Sequence, residues 1–440
     1  MTFKAYSQTQ SFLLPPSYGD FLGESHEAVI LSEFLQEVDM TLLENSYHNA
    51  TGGRAAYHPG MLVTLLIYAY MNGIFSSRKI AKLLRQDLAF MYLAGNLQPD
   101  FRTLARFRKE KGIFLEDILA HVVRQAKELG LVSFGTCSLD GTKVYADASK
   151  QKNIIQELIQ KANETDESED ALYGDDEDDQ NPELKTQAGR KKKKQALQRV
   201  NTTDPDSRFM QMKRKDYANA YNVQNITENG IVLSSSIFNT SADQGTLVSS
   251  VQKFIATYQT KPKVLLADKG YSSEKNYSFC EQNALDAYIP VYSDPVDLSQ
   301  YTYDLKNDTY TDTRGRMYVF KQRSKRRDGK KLRGRGIQGE HSEYKSVIYK
   351  YQDSKTQEKK YLSISDEWQR HSSIQKEKFS TDEGKQVYKK RMHDVEGVFA
   401  NIKRNLNFTR FNLRGFQGVT VEWTLISLAH NLKKMLQPAG

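Results

Sequence analysis

The hydrophobic period of this chain changes near Gly135, and that change limits the fold more than any other feature. Before it, apolar residues recur at helical spacing, as in segment 25–46 (SHEAVILSEFLQEVDMTLLENS). His58-Pro59-Gly60 then opens MLVTLLIYAYM, a run apolar nearly all round. Proline suits the first turn of a helix, and a helix without a polar face is a buried one. Asn72-Gly73 ends that run, Ser76 and Ser77 start a short helix, and Asp100 is placed to cap FRTLARFRKEKG. Helices of this size on short turns predict a helix-turn-helix-like module over residues 1–130.

After Gly135 the side chains alternate. TCSLDGTKVYADAS reads as strand, with Asp140-Gly141 as a turn between two strands or as the end of the first. A short helix is expected in NIIQELIQKAN, further strands at 217–227 and after the Glu228-Asn229-Gly230 turn, a helix over 246–259, and a buried strand at 263–268 (KVLLAD). A helix at 273–284, a strand at 286–292, a β-rich insertion over 295–370 and a helix over 381–406 follow. TVEWTLISLAHNLKKML closes the series as an amphipathic helix with Lys433 and Lys434 in its last turns, where cations suit the helix dipole. This order predicts an α/β chain: a mixed sheet with helices on its faces. The boundaries are 1–130 helical, 131–294 the first part of the sheet core, 295–370 the insertion, and 371–440 the closing helices.

Within the core, 162–200 stands apart. Ten acidic residues fall within 164–179 and five basic ones run from Arg190 to Lys194. Such blocks seldom pack, and the acidic run lacks the alternating-acid spacing of a calcium loop, so a mobile insertion is expected. The whole chain of 440 residues carries a net charge of +9, which suits a polyanionic partner. Two cysteines, Cys137 and Cys280, give neither a disulfide framework nor zinc spacing, and a reducing cytoplasm is expected. The start lacks the pattern of a signal peptide, and no run reaches the length of a membrane span.

Three carboxylates carry the chemical reading. Phosphoryl transfer with two metal ions needs hard oxygen ligands converging from rigid elements. Asp140 and Asp268 end two predicted strands, and Glu396 lies on the late helix YKKRMHDVEGVFANIKRNLNF. Each also has a plain structural reading, as a turn residue, a strand end or a solvated helix residue. Asp147, Asp204, Asp206 and Asp243 read as turn and cap residues, and Cys137 as core. Lys403 follows Glu396 by two helical turns on one face. Arg102, Arg106, Arg108, Lys109 and Lys111 share one helix, with phosphate contact and a solvated face as the competing readings.

The late helix resembles the Tyr-x2-Arg … Glu-x6-Lys signature of bacterial insertion-sequence transposases with an Asp-Asp-Glu triad. Tyr388 and Arg391 keep the two-residue gap, and Glu396 and Lys403 the six-residue gap. Four residues separate Arg391 from Glu396, where the pattern often has three. TDPDSRFM (203–210), YNVQ (221–224), LADKGY (266–271), RMHDVEGVFANIKRNLNFTRF and LRGFQGV (413–419) are similar to the insertion-sequence group numbered eleven-eighty-two, as are YHPGMLVTLLIYAYMNGIFSSRKI and DFRTLARFR near the start. The resemblance implies an RNase H-like catalytic core behind a helical DNA-binding domain. It implies a triad of Asp140, Asp268 and Glu396 holding two Mg²⁺ ions, with Mn²⁺ as the alternative. Tyr388, Arg391, Lys403, Arg102, Arg106, Arg108 and Lys109 are the implied DNA contacts. The implied partner is double-stranded DNA, both element ends and target, bound by a homodimer in the bacterial cytoplasm at the nucleoid. The implied activity is cutting of phosphodiesters followed by joining of 3′ ends. A nuclease that does not join, and a DNA-binding regulator without catalysis, are the competing readings. Relatives often carry a Cys-rich piece in the later insertion; this chain has none, so no zinc role carries over.

Overall fold

The structure is a computed structural model. It describes residues 17–47, 55–149, 153–155, 199–212, 216–325, 332–333, 341–342, 344–352 and 359–436. The charged run 164–194 lies outside them, and so does most of the helix expected in NIIQELIQKAN, whose residues Asn153–Ile155 form a strand.

The first part is helical: α1 (Tyr18–Leu22), α2 (Glu27–Gln36), α3 (Thr41–Asn45), α4 (Pro59–Met71), α5 (Ser77–Leu83), α6 (Leu88–Leu93), α7 (Phe101–Lys111) and α8 (Leu115–Glu128). Segment 25–46 forms two helices, because residues 37–40 leave the helical path and Asp39 accepts the Thr41 N–H at 2.9 Å. Asp100 caps α7 by accepting the Thr103 N–H at 2.7 Å. Ser76 precedes α5 without a side-chain cap bond. Helix α4 is buried over nearly its whole surface, as its composition requires.

The strands that follow are β1 (Thr136–Tyr145), β2 (Asn153–Ile155), β3 (Arg199–Asn201), β4 (Arg208–Gln211), β5 (Tyr217–Glu228), β6 (Ile231–Phe238), β7 (Val264–Ala267) and β8 (Asp286–Tyr288). Helix α9 (Leu247–Tyr258) precedes β7, and α10 (Glu274–Gln282) joins β7 to β8. Six strands make one mixed sheet in the order β4-β5-β1-β7-β8, with β6 also paired to β5. β1 and β5 are antiparallel, whereas β1, β7 and β8 run parallel. β2 and β3 pair as a separate two-stranded ribbon. The β5–β6 hairpin turns on Asn229 and Gly230, whose φ angles of 51° and 71° are the positive pair that a tight hairpin of this kind needs.

β1 corrects one expectation. It runs unbroken through Asp140 and Gly141, so the Asp-Gly pair is neither a turn nor a strand end. A Cβ on Gly141 would lie 2.9 Å from Oδ1 of Asp243 and would collide with the Gln224 amide. Glycine is there because a neighbouring side chain fills its space, not because the chain turns.

The insertion folds as a second sheet, in the order β15-β14-β11-β10-β9, from β9 (Tyr301–Asp304), β10 (Thr309–Asp312), β11 (Met317–Lys325), β14 (Tyr344–Gln352) and β15 (Lys359–Ile364). β12 (Leu332–Arg333) and β13 (His341–Ser342) pair with each other. This sheet has its own apolar cluster of Tyr310, Tyr318, Tyr349, Leu362 and Ile364.

The chain then returns through α11 (Asp366–Ser380), α12 (Asp382–Arg391), a π-helical turn Met392–Glu396, the single turn α13 (Gly397–Ala400), a second π-helical turn Asn401–Asn405, and α14 (Gly415–Met435). The sequence predicts an amphipathic last helix. Instead α14 is buried on all sides from Val421 to Leu432, since β6 packs against it as well as α4 and α8. One apolar cluster therefore runs from Leu65 and Leu66 of α4, through Trp423 and Leu428 of α14, to Val223 and Leu265 in the sheet. Among the described residues no helix is long and apolar enough to cross a membrane.

The strings TDPDSRFM and LRGFQGV meet at the start of α14. Asp204 accepts the Gly415 N–H at 3.1 Å and Asp206 the Phe416 N–H at 3.0 Å. Anionic acceptors suit the unpaired N–H groups of a helix start. Arg414 pairs with Asp147 at 2.8 Å, so these three aspartates serve structure.

Candidate active site

Parallel pairing sets the first two carboxylates side by side. Leu139 is in register with Ala267, and β7 stops there, so the next residue of each strand is Asp140 and Asp268. Ligands of open α/β sheets bind beyond the carboxyl ends of parallel strands; Asp268 stands just past the end of β7, and Asp140 beside it, where the parallel pairing ends although β1 continues. Asp268 is held by its own turn: its Oδ1 accepts the Gly270 N–H at 2.8 Å and caps the 3₁₀ turn Lys269–Tyr271. Asp140 Oδ1 accepts the Gly141 N–H at 2.9 Å.

Arg391, the last residue of α12, lies between them. Its Nη2 is 3.1 Å from Asp140 Oδ1 and 3.9 Å from Asp268 Oδ2. Burial pushes the Asp140 carboxyl above the ordinary range; Arg391 and the Gly141 N–H pull the other way, and Asp268 and Asp243 add to the rise. Tyr388, one turn before Arg391, bonds to it, and its ring meets Phe379 edge-on at 5.0 Å. Partial burial raises the Tyr388 hydroxyl, so it stays protonated. Arg391 is thus engaged with carboxylates, where the sequence implies a free phosphate contact.

The structure does not gather the third carboxylate. Glu396 ends the first π-helical turn and is exposed, and among the described residues no three carboxylate, imidazole or thiolate groups stand close enough to hold one metal ion. The wider π turns displace side chains from the even spacing of an α-helix. Asp394 points inward instead and accepts the Ser138 hydroxyl at 3.0 Å. Lys403, in the second π turn, donates to Thr142 Oγ1 at 2.5 Å and to the Lys143 carbonyl at 3.0 Å. It therefore lies along β1, beyond Asp140.

What is present still suits a hard cation. Two carboxylates from adjacent strands, one within β1 and one just past the end of β7, converge on the Arg391 guanidinium, whose buried Nε has no hydrogen-bond partner. Mg²⁺ takes such oxygen donors and commonly uses only one or two carboxylates, with water and substrate phosphate completing its shell. The pair Asp140 and Asp268 fits that donor set.

Behind the pair is a polar group that the sequence reading missed. Gln224 Nε2 donates to Asp243 Oδ1 at 2.8 Å and to Asn222 Oδ1 at 2.9 Å, and the Tyr271 hydroxyl donates to Gln224 Oε1. Asn222 also donates to Asp243 at 2.7 Å. The available signal was YNVQ itself: Asn222 and Gln224 are two residues apart, so they share one face of a strand that is otherwise buried.

Of the basic residues on α7, Arg102, Arg106 and Lys109 are exposed. Arg108 is not, which corrects its place among the expected DNA contacts. It is 5% exposed and donates to the Tyr70 hydroxyl at 3.0 Å and the Phe75 carbonyl at 2.9 Å, with Glu422 at 3.8 Å. The helix buries Arg108 together with Leu104 and Phe107. Lys111 donates to the Ser46 carbonyl at 2.8 Å and covers the Tyr47 ring.

Residues 16–110 match the family described as a transposase domain (DUF772), and residues 320–436 match the transposase DDE domain family. The second match contains Tyr388, Arg391, Glu396 and Lys403; Asp140 and Asp268 lie outside both. No curated protein matches the chain. Among solved structures, the cryo-EM structure of the piggyBac transposase synaptic complex with hairpin DNA aligns at 10% identity, covering 92% of this chain and 73% of that one, with a TM-score of 0.30.

Proposed function

We propose, for a chain that belongs to the DDE transposases, that it cuts DNA at Asp140 and Asp268 and joins the freed ends to a target. The observation that carries this reading is the pair itself: Asp140 within β1 and Asp268 just past the end of the neighbouring β7, both converging on the Arg391 guanidinium. The strand order supports an RNase H-like core, since β6, β5 and β1 are antiparallel neighbours and β7 and β8 continue parallel to β1.

In this reading Asp140 and Asp268 would hold a divalent cation between them in exchange for Arg391. Glu396, exposed five residues further on, would serve a second ion. When bound, such ions supply Lewis acidity to a phosphodiester. Arg391, once released, can grip a phosphate bidentately, and Lys403 can approach one as a point charge. Tyr388 would position the terminal nucleotide. In the first reaction water attacks phosphorus and the 3′ oxygen leaves as a hydroxyl, opposite a 5′ phosphate. In the second that hydroxyl attacks a target phosphodiester, so one P–O bond forms as another breaks. The protein would act as a homodimer on double-stranded DNA.

The test is purified full-length protein with Mg²⁺ and a labelled fragment carrying the element's ends, followed by a target plasmid. Nicked ends and joined products are expected. Nicks without joined products would leave a nuclease, and binding without nicks a regulator.

Helix α7 would meet the DNA backbone through Arg102, Arg106 and Lys109. Reversing these three to glutamate in the full-length protein should weaken binding to any sequence. It should also flatten the dependence of log affinity on log salt by about one for each phosphate that is no longer neutralised. An unchanged salt slope would remove α7 from the interface.

A further inference from the structure

The strings YNVQ and LADKGY meet in a buried polar junction that the cutting reaction does not use directly. Gln224, from the first, is 1% exposed, and Tyr271, from the second, is fully buried. Gln224 lies opposite Gly141 in the β1–β5 ladder, and Gly141 leaves the space that its amide fills. Tyr271 closes the same 3₁₀ turn that Asp268 opens. Asp243 starts the short turn before α9. Three segments thus meet at one amide: the stretch of β1 that carries Asp140, the turn that carries Asp268, and the connection from β6 to α9.

The orientation of that amide is fixed by what its partners are able to do. Asp243 Oδ1 accepts the NH₂ of Asn222 and that of Gln224, so the amide turns its nitrogen to Asp243. The Gln224 carbonyl is then left for a donor, which the Tyr271 hydroxyl provides. Burial holds that hydroxyl well above its ordinary range, with Asp243, Asp140 and Asp268 adding to the rise, so it keeps its proton. Asn222 anchors the other side, giving its own NH₂ to Asp243 and accepting from Gln224. An amide gripped on both ends cannot flip without leaving two buried groups unpaired.

We propose that Gln224, clamped between Tyr271 and Asp243, is a positioning residue that sets the spacing of Asp140 and Asp268. This rests on the reading of those two aspartates as cation ligands. Gln224 touches neither carboxylate. It acts through Gly141 on one side and the Tyr271 turn on the other, as the supports behind metal ligands commonly do.

The experiment is titration of the full-length protein with Mn²⁺ alone, read by the free-ion electron spin resonance signal, with thermal unfolding in chelator alongside. The variants are Tyr271→Phe, Asp243→Asn and the pair of changes together. Each single change keeps its residue's shape. Each is expected to weaken Mn²⁺ binding about tenfold or more, in the range seen when supports of metal ligands are altered. The double variant should bind about as weakly as either single one, because both act through the same amide. Mn²⁺ affinity equal to wild type in both single variants overturns the proposal, and so do fully additive losses. A lowered melting temperature with unchanged affinity also overturns it, since that is the mark of a merely structural residue. Asp140→Asn and Asp268→Asn are the controls. If these too bind Mn²⁺ normally, the ligand reading itself fails; if only these lose binding, the ligands stand and Gln224 does not position them.

Discussion

Asp140→Asn and Asp268→Asn should each reduce Mg²⁺-dependent cleavage by about 10³-fold, the scale on which a site loses a preorganised charge. Asparagine keeps the size of each side chain and an oxygen for the N–H of Gly141 or Gly270. Only the negative charge goes. The fold should not suffer, and at Asp140 the sign runs the other way. A carboxyl raised by burial favours the folded state when protonated, and that contribution is lost as pH rises through its folded value. At neutral pH the ionised Asp140 is therefore a cost to stability, and Asp140→Asn should melt no lower than wild type. Inactive protein with an unchanged or higher melting temperature is the expected pair of results. Cleavage near the wild-type rate in either variant would remove that residue from the site.

Glu422→Ala should lower unfolding free energy by about 3–5 kcal/mol, as removal of one partner from a buried charge pair does. Glu422 is fully buried in α14. It accepts the N–H groups of Asn412 and Leu413 at 2.6 and 2.8 Å and the Tyr70 hydroxyl at 3.2 Å, with Arg108 close by. Truncation would leave the buried Tyr70 hydroxyl and Arg108 guanidinium without that carboxylate. Burial raises the Glu422 carboxyl, with Arg108 and the backbone N–H groups opposing, so the charge is held by its partners rather than by solvent. Replacing the pair with Arg108→Met and Glu422→Leu should cost much less than Glu422→Ala, since no charge is then left alone. Urea unfolding curves of the single and double variants measure both. A loss under about 1 kcal/mol for Glu422→Ala would show that water reaches the pair, as it does surface ion pairs.

The sequence made some of this legible and hid the rest for physical reasons. Helix α4 was readable because an all-apolar face has one explanation, and the β5–β6 hairpin because Asn229-Gly230 has few others. Asp140 was picked out by its neighbourhood although its position was misread. The glycine after it signals an absent Cβ, and sequence cannot say whether a turn or a neighbour requires that absence. Arg108 was misread because a run of basic residues looks alike on every face of a helix. Only the 3.6-residue period, taken with Leu104 and Phe107, turns it inward. The failure of Glu396 to join the two aspartates was not readable at all: two π turns shift the late helix, and nothing in MHDVE or NIKRN announces them. Gln224 escaped notice because an uncharged amide carries no chemical signal until its partners are seen.

The central place of α14 also bears on how the chain is made. Its partners α4 and α8 are complete by residue 128, whereas α14 begins at Gly415. At about 5–20 residues per second, a ribosome needs roughly 20–70 s to travel from the end of α4 to α14. Throughout that time α4, apolar on nearly every side, lacks the helix it will finally pack against. The nascent molecule must carry that surface, shielded by temporary contacts or by a chaperone, until the part of the chain that covers it has been synthesised.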